Sequence, residues 1–282
     1  MLASAAVALG AFWLWPTQEP AYEGKRLGEW LDEGMRLAQD PYVTDQSVER
    51  VVKAVQAIGT NAIPFLLRDM ERKEPRWLGS AKTRAYKMKL MDQTHFWSWR
   101  LNRSMRGFRA LGTNAAPALE RLLALHDGES LASGSAGAAL IALGPIAVPE
   151  LEKRLHATNS VTRGRAAGTL VFFGPAAESA ISSLLAMVDD TNNSARGTAV
   201  GALMGINRQP ERLVPVFRSL LGDSNAIIRV YAAGGLGRFG LSAKEAIPDL
   251  VQATNDPNPT VVNSARHALE QIESEALKAA SR

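Results

Sequence analysis

The chain has 282 residues, 46% of them hydrophobic, which excludes a disordered polypeptide, and no cysteine, which excludes disulfides and thiolate chemistry. Its net charge of +4 is local rather than global. Between Arg72 and Arg109 eleven Lys or Arg face only Glu74 and Asp92, so the rest of the chain is net acidic.

Residues 1–16 are a hydrophobic anchor or signal-like segment, uncharged from Met1 to Trp15. As a helix these 15 residues reach about 22 Å, short of the roughly 30 Å hydrocarbon core of a bilayer. Three readings stand: a membrane anchor whose first turns lie upstream of Met1, a cleaved signal, and a buried cap. Pro16, Thr17 and Gln18 supply no small-x-small cleavage site, whereas Trp13 and Trp15 suit a membrane interface, so the anchor is the expectation. Residues 17–40 read as a linker and capping helix, since KRLGEWLDEGMRLA from Lys25 to Ala38 puts Leu27, Trp30, Leu31, Met35 and Leu37 mostly on one face.

From 41 to 282 the chain reads as helical hairpins, beginning with VVKAVQAIGTNAIPFLLRDM at 51–70. An insertion at about 71–106 follows: Gly59 and Gly112 are 53 apart where later turns are spaced 30 to 34. Pro75 and Gly79 bracket a loop, AKTRAYKMKLMD reads as a helix, and HFWSWRLNRSMRGFRALG as a lengthened first helix of the next hairpin. Trp77, Tyr86, Phe96, Trp97 and Trp99 interleave with basic residues here. Aromatics stack on bases and Lys or Arg neutralise phosphates, so nucleic acid is one reading. An anionic lipid surface, at about 1 kcal/mol per basic residue, is another. The third is packing and partner binding, with Trp77, Lys82, Arg84, Lys87, Lys89, Trp97, Trp99 and Arg100 as the candidate residues.

From Ala157 the sequence returns to itself every 33 residues, aligning Asn159, Asn192, Asn225 and Asn258, then Arg163, Arg196 and Arg229, then Asp190, Asp223 and Asp256. Apolar columns share the period: Leu170, Leu203, Leu236 and Leu269; Val148, Ile181, Val214 and Ile247; Leu151, Leu184, Phe217 and Leu250. Such a period marks a solenoid whose units must stack to bury their apolar faces. Each Asn caps a first helix, Gly240 ends one in a left-handed conformation, and second helices begin near Pro64, Pro117, Pro149, Val214 and Pro248. Ala232 to Gly235, like Ala166 to Gly168, are small to admit a neighbouring backbone. For the Arg and Asp columns two roles are open: bridging between neighbouring units, or an anion-binding stripe. The C-terminal VVNSARHALEQIESEALKAASR turns polar, as a cap should.

Nothing in the residues specifies an active site. His95, His126, His156 and His267 are scattered, with no HExxH and no G-x-S-x-G context, so no catalytic, cofactor or metal residues are assigned.

The words ALGPIAVPELEKRL, VTRGRAAGTLVFFG, AIIRVYAAGGLGRFG and EAIPDLVQATNDPNPTVVNSARHALEQI resemble the short bacterial HEAT repeat. The resemblance implies an all-α fold, an alpha-alpha superhelix of about seven hairpins, acting as a non-catalytic protein-binding scaffold without a cofactor. HEAT-like lyases and a DNA glycosylase family bring no motif that maps onto this chain. EPAYEGKRLGEWL at 19–31 looks like the segment after the membrane helix in exported HEAT-repeat proteins of Verrucomicrobia and Planctomycetes, which implies a single-pass protein of the bacterial inner membrane with its repeats outside the cytoplasm. The residues add one expectation: Arg68, Arg121, Arg154 and Arg218 on the second helices extend the positive surface of the insertion, for an acidic or phosphorylated partner.

Overall fold

The computed structural model describes residues 18–37, 45–71, 93–130 and 132–280, with the side chains of 93–99 and 280 outside the description. The fold is all-α, an alpha-alpha solenoid, and the chain divides into two compact units between Ile146 and Ala147.

The first unit opens with a hairpin that the sequence reading ran into the helix. Strands β1 (Ala21–Tyr22) and β2 (Lys25–Arg26) pair antiparallel about Glu23 and Gly24, whose φ angles are 48° and 73°. Lys25 and Arg26 therefore precede helix α1 (Leu27–Leu37). At its start Gly28 N donates to Glu19 Oε1 at 2.5 Å, from outside the helix, while Glu29 within the helix reaches back to accept from Arg26 N at 2.8 Å. Leu27, Trp30, Leu31 and Met35 are buried, and Leu37 half-buried. Helices α2 (Asp45–Ile58), α3 (Ile63–Glu71), α4 (Gln93–Leu111), α5 (Leu119–Asp127) and α6 (Ala132–Leu143) follow. First helices stack in the order α2, α4, α6, each second helix packs on the next first helix, and α1 lies against α2 and α4.

The second unit repeats this rule with α7 (Val148–Arg154), α8 (Ser160–Leu170), α9 (Ile181–Ala186), α10 (Asn193–Ile206), α11 (Pro210–Leu220), α12 (Ala226–Phe239), α13 (Ile247–Ala253) and α14 (Pro259–Ala280). Here α8, α10, α12 and α14 stack, while α7, α9, α11 and α13 each pack on the helix that follows. Leu170, Leu203 and Leu236 are fully buried, as are Leu151, Leu184, Phe217 and Leu250, whereas Leu269 is half-buried in the terminal helix.

Turns between paired helices need a residue at positive φ. Gly59, Gly112, Gly144, Gly174 and Gly240 supply it, with φ between 51° and 79°. The turn before α11 has no glycine; Asn207 (φ 47°) and Gln209 (φ 53°) take the conformation instead. Because Gln209 turns the chain early and Pro210 has no N–H to satisfy, α11 starts at Pro210 rather than near Val214. The small-residue expectation splits. A Cβ on Gly235 would lie 2.5 Å from Phe217 Cε2, so that glycine is required; a Cβ on Gly168 would meet nothing within 4 Å, so that one is not.

Candidate partner-binding surface

Each repeat column has a definite position. Asn159 Oδ1 accepts from Val161 N, Asn192 Oδ1 from Ser194 N and Ala195 N, Asn225 Oδ1 from Ile227 N, and Asn258 Oδ1 from Thr260 N, so each Asn caps a first helix. The Arg of each repeat reaches the Asp that ends the next second helix: Arg163 Nε donates to Asp190 at 2.6 Å, Arg196 Nη2 to Asp223 at 3.0 Å, and Arg229 Nε to Asp256 at 2.7 Å. Each Asp also accepts the backbone N–H of the next capping Asn, Asn192, Asn225 or Asn258, so one carboxylate joins two repeats and a turn. The Arg163 hydrogen bond holds the Asp190 carboxyl below the usual carboxylate range, and Arg229 does the same to Asp256. With their guanidinium groups engaged in this way, these arginines offer no open stripe for an outside anion.

The expected positive line along the second helices does not form. Arg121 pairs with Glu71, Arg218 with Asp249 at 2.6 Å, and Arg154 Nη1 lies 3.7 Å from Glu150, while the Arg68 guanidinium stacks 4.7 Å from the Phe65 ring centre. Arg154 meets a carboxylate four residues earlier on its own helix, whereas Arg121 and Arg218 meet carboxylates of neighbouring second helices.

Of the insertion candidates, Trp77, Lys82, Arg84, Lys87 and Lys89 lie outside the described residues. Trp97 and Trp99 belong to α4, with their side chains outside the description. Arg100 is half-buried and donates from Nη2 to the Asp69 carbonyl at 3.0 Å, an internal tie between α4 and α3. One turn on, Arg103 pairs with both Asp69 and Asp32, joining α4 to α3 and to the cap α1. Burial opposes the charge on Arg103, but its hydrogen bond to Asp69 and the Asp32 carboxylate raise its pKa above the ordinary value. The sequence pattern did not single out Arg103, because its two partners lie 34 and 71 residues away.

Two polar clusters went unread in the sequence. Glu152 accepts from Ser183 Oγ at 3.1 Å and Ser179 Oγ at 3.3 Å, and His156 Nε2 is 3.2 Å from Ser183 Oγ. Ionised Glu152 can only accept, so Ser183 donates to it and receives from His156. In that arrangement His156 is not the base that takes the Ser183 proton. At the other end of the chain, a cleft of about 510 Å³ lies between β1 and α2, lined by Tyr22, Trp30, Gln46 and Ser47 among others. Its charges pair off as Glu23 with Arg50 at 3.9 Å and Glu49 with Lys53 at 3.6 Å. Among the described residues no group of three or more His, Asp or Glu side chains could hold a metal ion.

Second helices differ from one another on their exposed side. In the second unit the positions outside the core change chemistry from repeat to repeat: Glu152, Leu185, Arg218 and Val251 in one column, Lys153, Ala186, Ser219 and Gln252 in the next. Val251 is 51% exposed. In α3 of the first unit the matching Leu67 is buried, as is Phe65, leaving Arg68 as the exposed residue of that helix.

Residues 214–280, which hold most of α11 and all of α12, α13 and α14, match the family of HEAT repeats. No curated protein matches the chain. Among solved structures, an engineered protein is 17% identical with a TM-score of 0.47, over 86% of this chain and 97% of that one. A designed armadillo repeat protein in complex with the peptide (KR)4 is 17% identical with a TM-score of 0.47, over 74% of this chain and 99% of that one. Human deoxyhypusine hydroxylase in complex with glycerol is 18% identical with a TM-score of 0.38, over 87% of this chain and 97% of that one.

Proposed function

We propose that the chain is a non-catalytic scaffold that binds another protein, held at the outer side of a bacterial inner membrane by residues 1–16, with the basic aromatic insertion as one contact for an acidic or phosphorylated partner. The observation that supports this is the division of labour between columns. Residues that repeat are engaged in structure: Asn caps, Arg and Asp bridge, Leu fills the core. Residues that vary, such as Lys153, Ala186, Ser219 and Gln252, stand exposed on the second helices, as does Val251. Constant inside and variable outside is what a stacked array needs if its surface is to distinguish one partner from another. The apolar, tryptophan-ended stretch at 1–16 supports a membrane address.

Fractionation and affinity capture test the two parts. The chain should sediment with membranes, resist extraction by high salt, and be cleaved by protease added to the outer side of spheroplasts. Chemical cross-linking before solubilisation should give discrete protein adducts. Recovery in the cytosol refutes the anchored reading, and failure to cross-link to any protein refutes the scaffold.

A further inference from the structure

We propose that the exposed face of α4, centred on Arg106 and Arg109, is a docking surface for an acidic segment of a partner protein. This rests on the scaffold reading and gives one contact a place and a chemistry. Helix α4 carries arginine at 100, 103, 106 and 109. The first two turn to internal partners, Asp69 and Asp32. Arg106 and Arg109 are exposed, and no described residue pairs with either. Three residues apart on a helix, they project from the same side with their Cβ atoms about 5–6 Å apart.

Among the described residues the surroundings provide no counter-charge. On one flank α6, from Ala132 to Leu143, has no ionisable side chain. On the other flank is α2, where Gln56 Nε2 donates to the Ala110 carbonyl at 3.1 Å and Lys53 is already matched by Glu49. Elsewhere Arg121, Arg163, Arg196, Arg218 and Arg229 meet carboxylates, while Arg36, Arg238 and Arg266 are exposed with no described carboxylate but stand singly on their helices, not as an adjacent pair. An adjacent pair left uncompensated selects an incoming anion, and guanidinium groups favour planar carboxylates presented at a similar spacing. Protein fits better than nucleic acid: the neighbouring α6 surface is Ala, Gly and Ser, without an aromatic platform for a base, and two phosphate contacts alone give weak, strongly salt-dependent binding.

Fluorescence anisotropy of the full chain tests this with three probes: a labelled ten-residue polyglutamate peptide, a twelve-residue oligothymidine, and phosphatidylglycerol vesicles. Polyglutamate should bind more tightly at low salt. The R106E/R109E variant should lose at least tenfold in affinity and R106Q/R109Q less, with unchanged circular dichroism, whereas R238E/K244E, reversing two exposed cations of the second unit, should bind as wild type. Equal polyglutamate binding by wild type and R106E/R109E overturns the proposal. So does preferential binding of oligothymidine or vesicles that is lost in the same variant. Protein partners still captured by R106E/R109E would remove this surface and leave the scaffold standing, while a wild type that captures no protein removes the scaffold itself.

Discussion

Replacing Asp256 by Ala probes the joints between repeats directly. Its carboxylate receives Arg229 Nε at 2.7 Å, Arg229 Nη2 at 2.9 Å and the Asn258 N–H at 2.8 Å, so the change removes two charge-assisted bonds and one backbone cap together. Arg229 keeps the carbonyls of Asp223 and Ser224 but loses its counter-charge, at a site where its side chain is 13% exposed and that of Asp256 9%. Stripping one partner from a buried pair costs about 3–5 kcal/mol. This pair sits in a turn at the edge of the array, where solvent can re-approach the guanidinium, so the cost should be about 2–3 kcal/mol. Arg229 lowers the Asp256 pKa, so the contribution is complete above about pH 4, the ordinary carboxylate value, and is lost as pH falls through the lowered folded value. The stability gap between wild type and Asp256→Ala should therefore narrow as pH falls below about 4. Urea unfolding and residue-resolved hydrogen exchange measure both effects, with the loss of protection concentrated in α12, α13 and α14. A stability change under 0.5 kcal/mol at pH 7, or protection lost evenly across both units, would refute the joint.

Other substitutions give opposite signs from similar chemistry. Gly235→Ala drives a methyl into Phe217 and should lose about 1–3 kcal/mol, while Gly168→Ala points into open space within a helix and should gain up to about 1 kcal/mol; urea midpoints decide both. Ser104 is fully buried on α4 with a hydroxyl that has no hydrogen-bond partner, so Ser104→Ala should leave stability unchanged or raise it by about 1 kcal/mol in the same assay. Leu203→Ala, at a fully buried position, should cost about 2–5 kcal/mol and weaken exchange protection in α8, α10 and α12 before α14.

The repeat was legible because its columns obey local rules. An Asn that accepts from an amide two residues on, or a Gly at positive φ, needs only a few neighbouring residues to be recognised. The Arg and Asp columns were visible as columns, but which group met which depended on stacking, since Arg163 and Asp190 are 27 residues apart. Where the chain departs from its period, the sequence reading drifted. The turn at Asn207 and Gln209 has no glycine to mark it, so α11 was placed by its Val214 column and begins earlier. The positive line of Arg68, Arg121, Arg154 and Arg218 was an error of a different kind. A helix face predicts where an arginine stands, and Glu150 was readable four residues before Arg154, but Glu71 and Asp249 lie on neighbouring second helices that only stacking brings alongside Arg121 and Arg218. For the same reason Arg100 stood in the candidate surface while Arg106 and Arg109, on the same helix and with no described partner, did not.

Site-specific photo-cross-linking in cells separates columns that build the array from positions that contact a partner. A photoreactive residue placed singly at Val251, Leu185 or Arg109 should give discrete protein adducts, whereas one at Arg196 or Asn225, within the bridging and capping columns, should give none. Adducts from Arg196 and Asn225 but not from Val251, Leu185 or Arg109 would contradict the account.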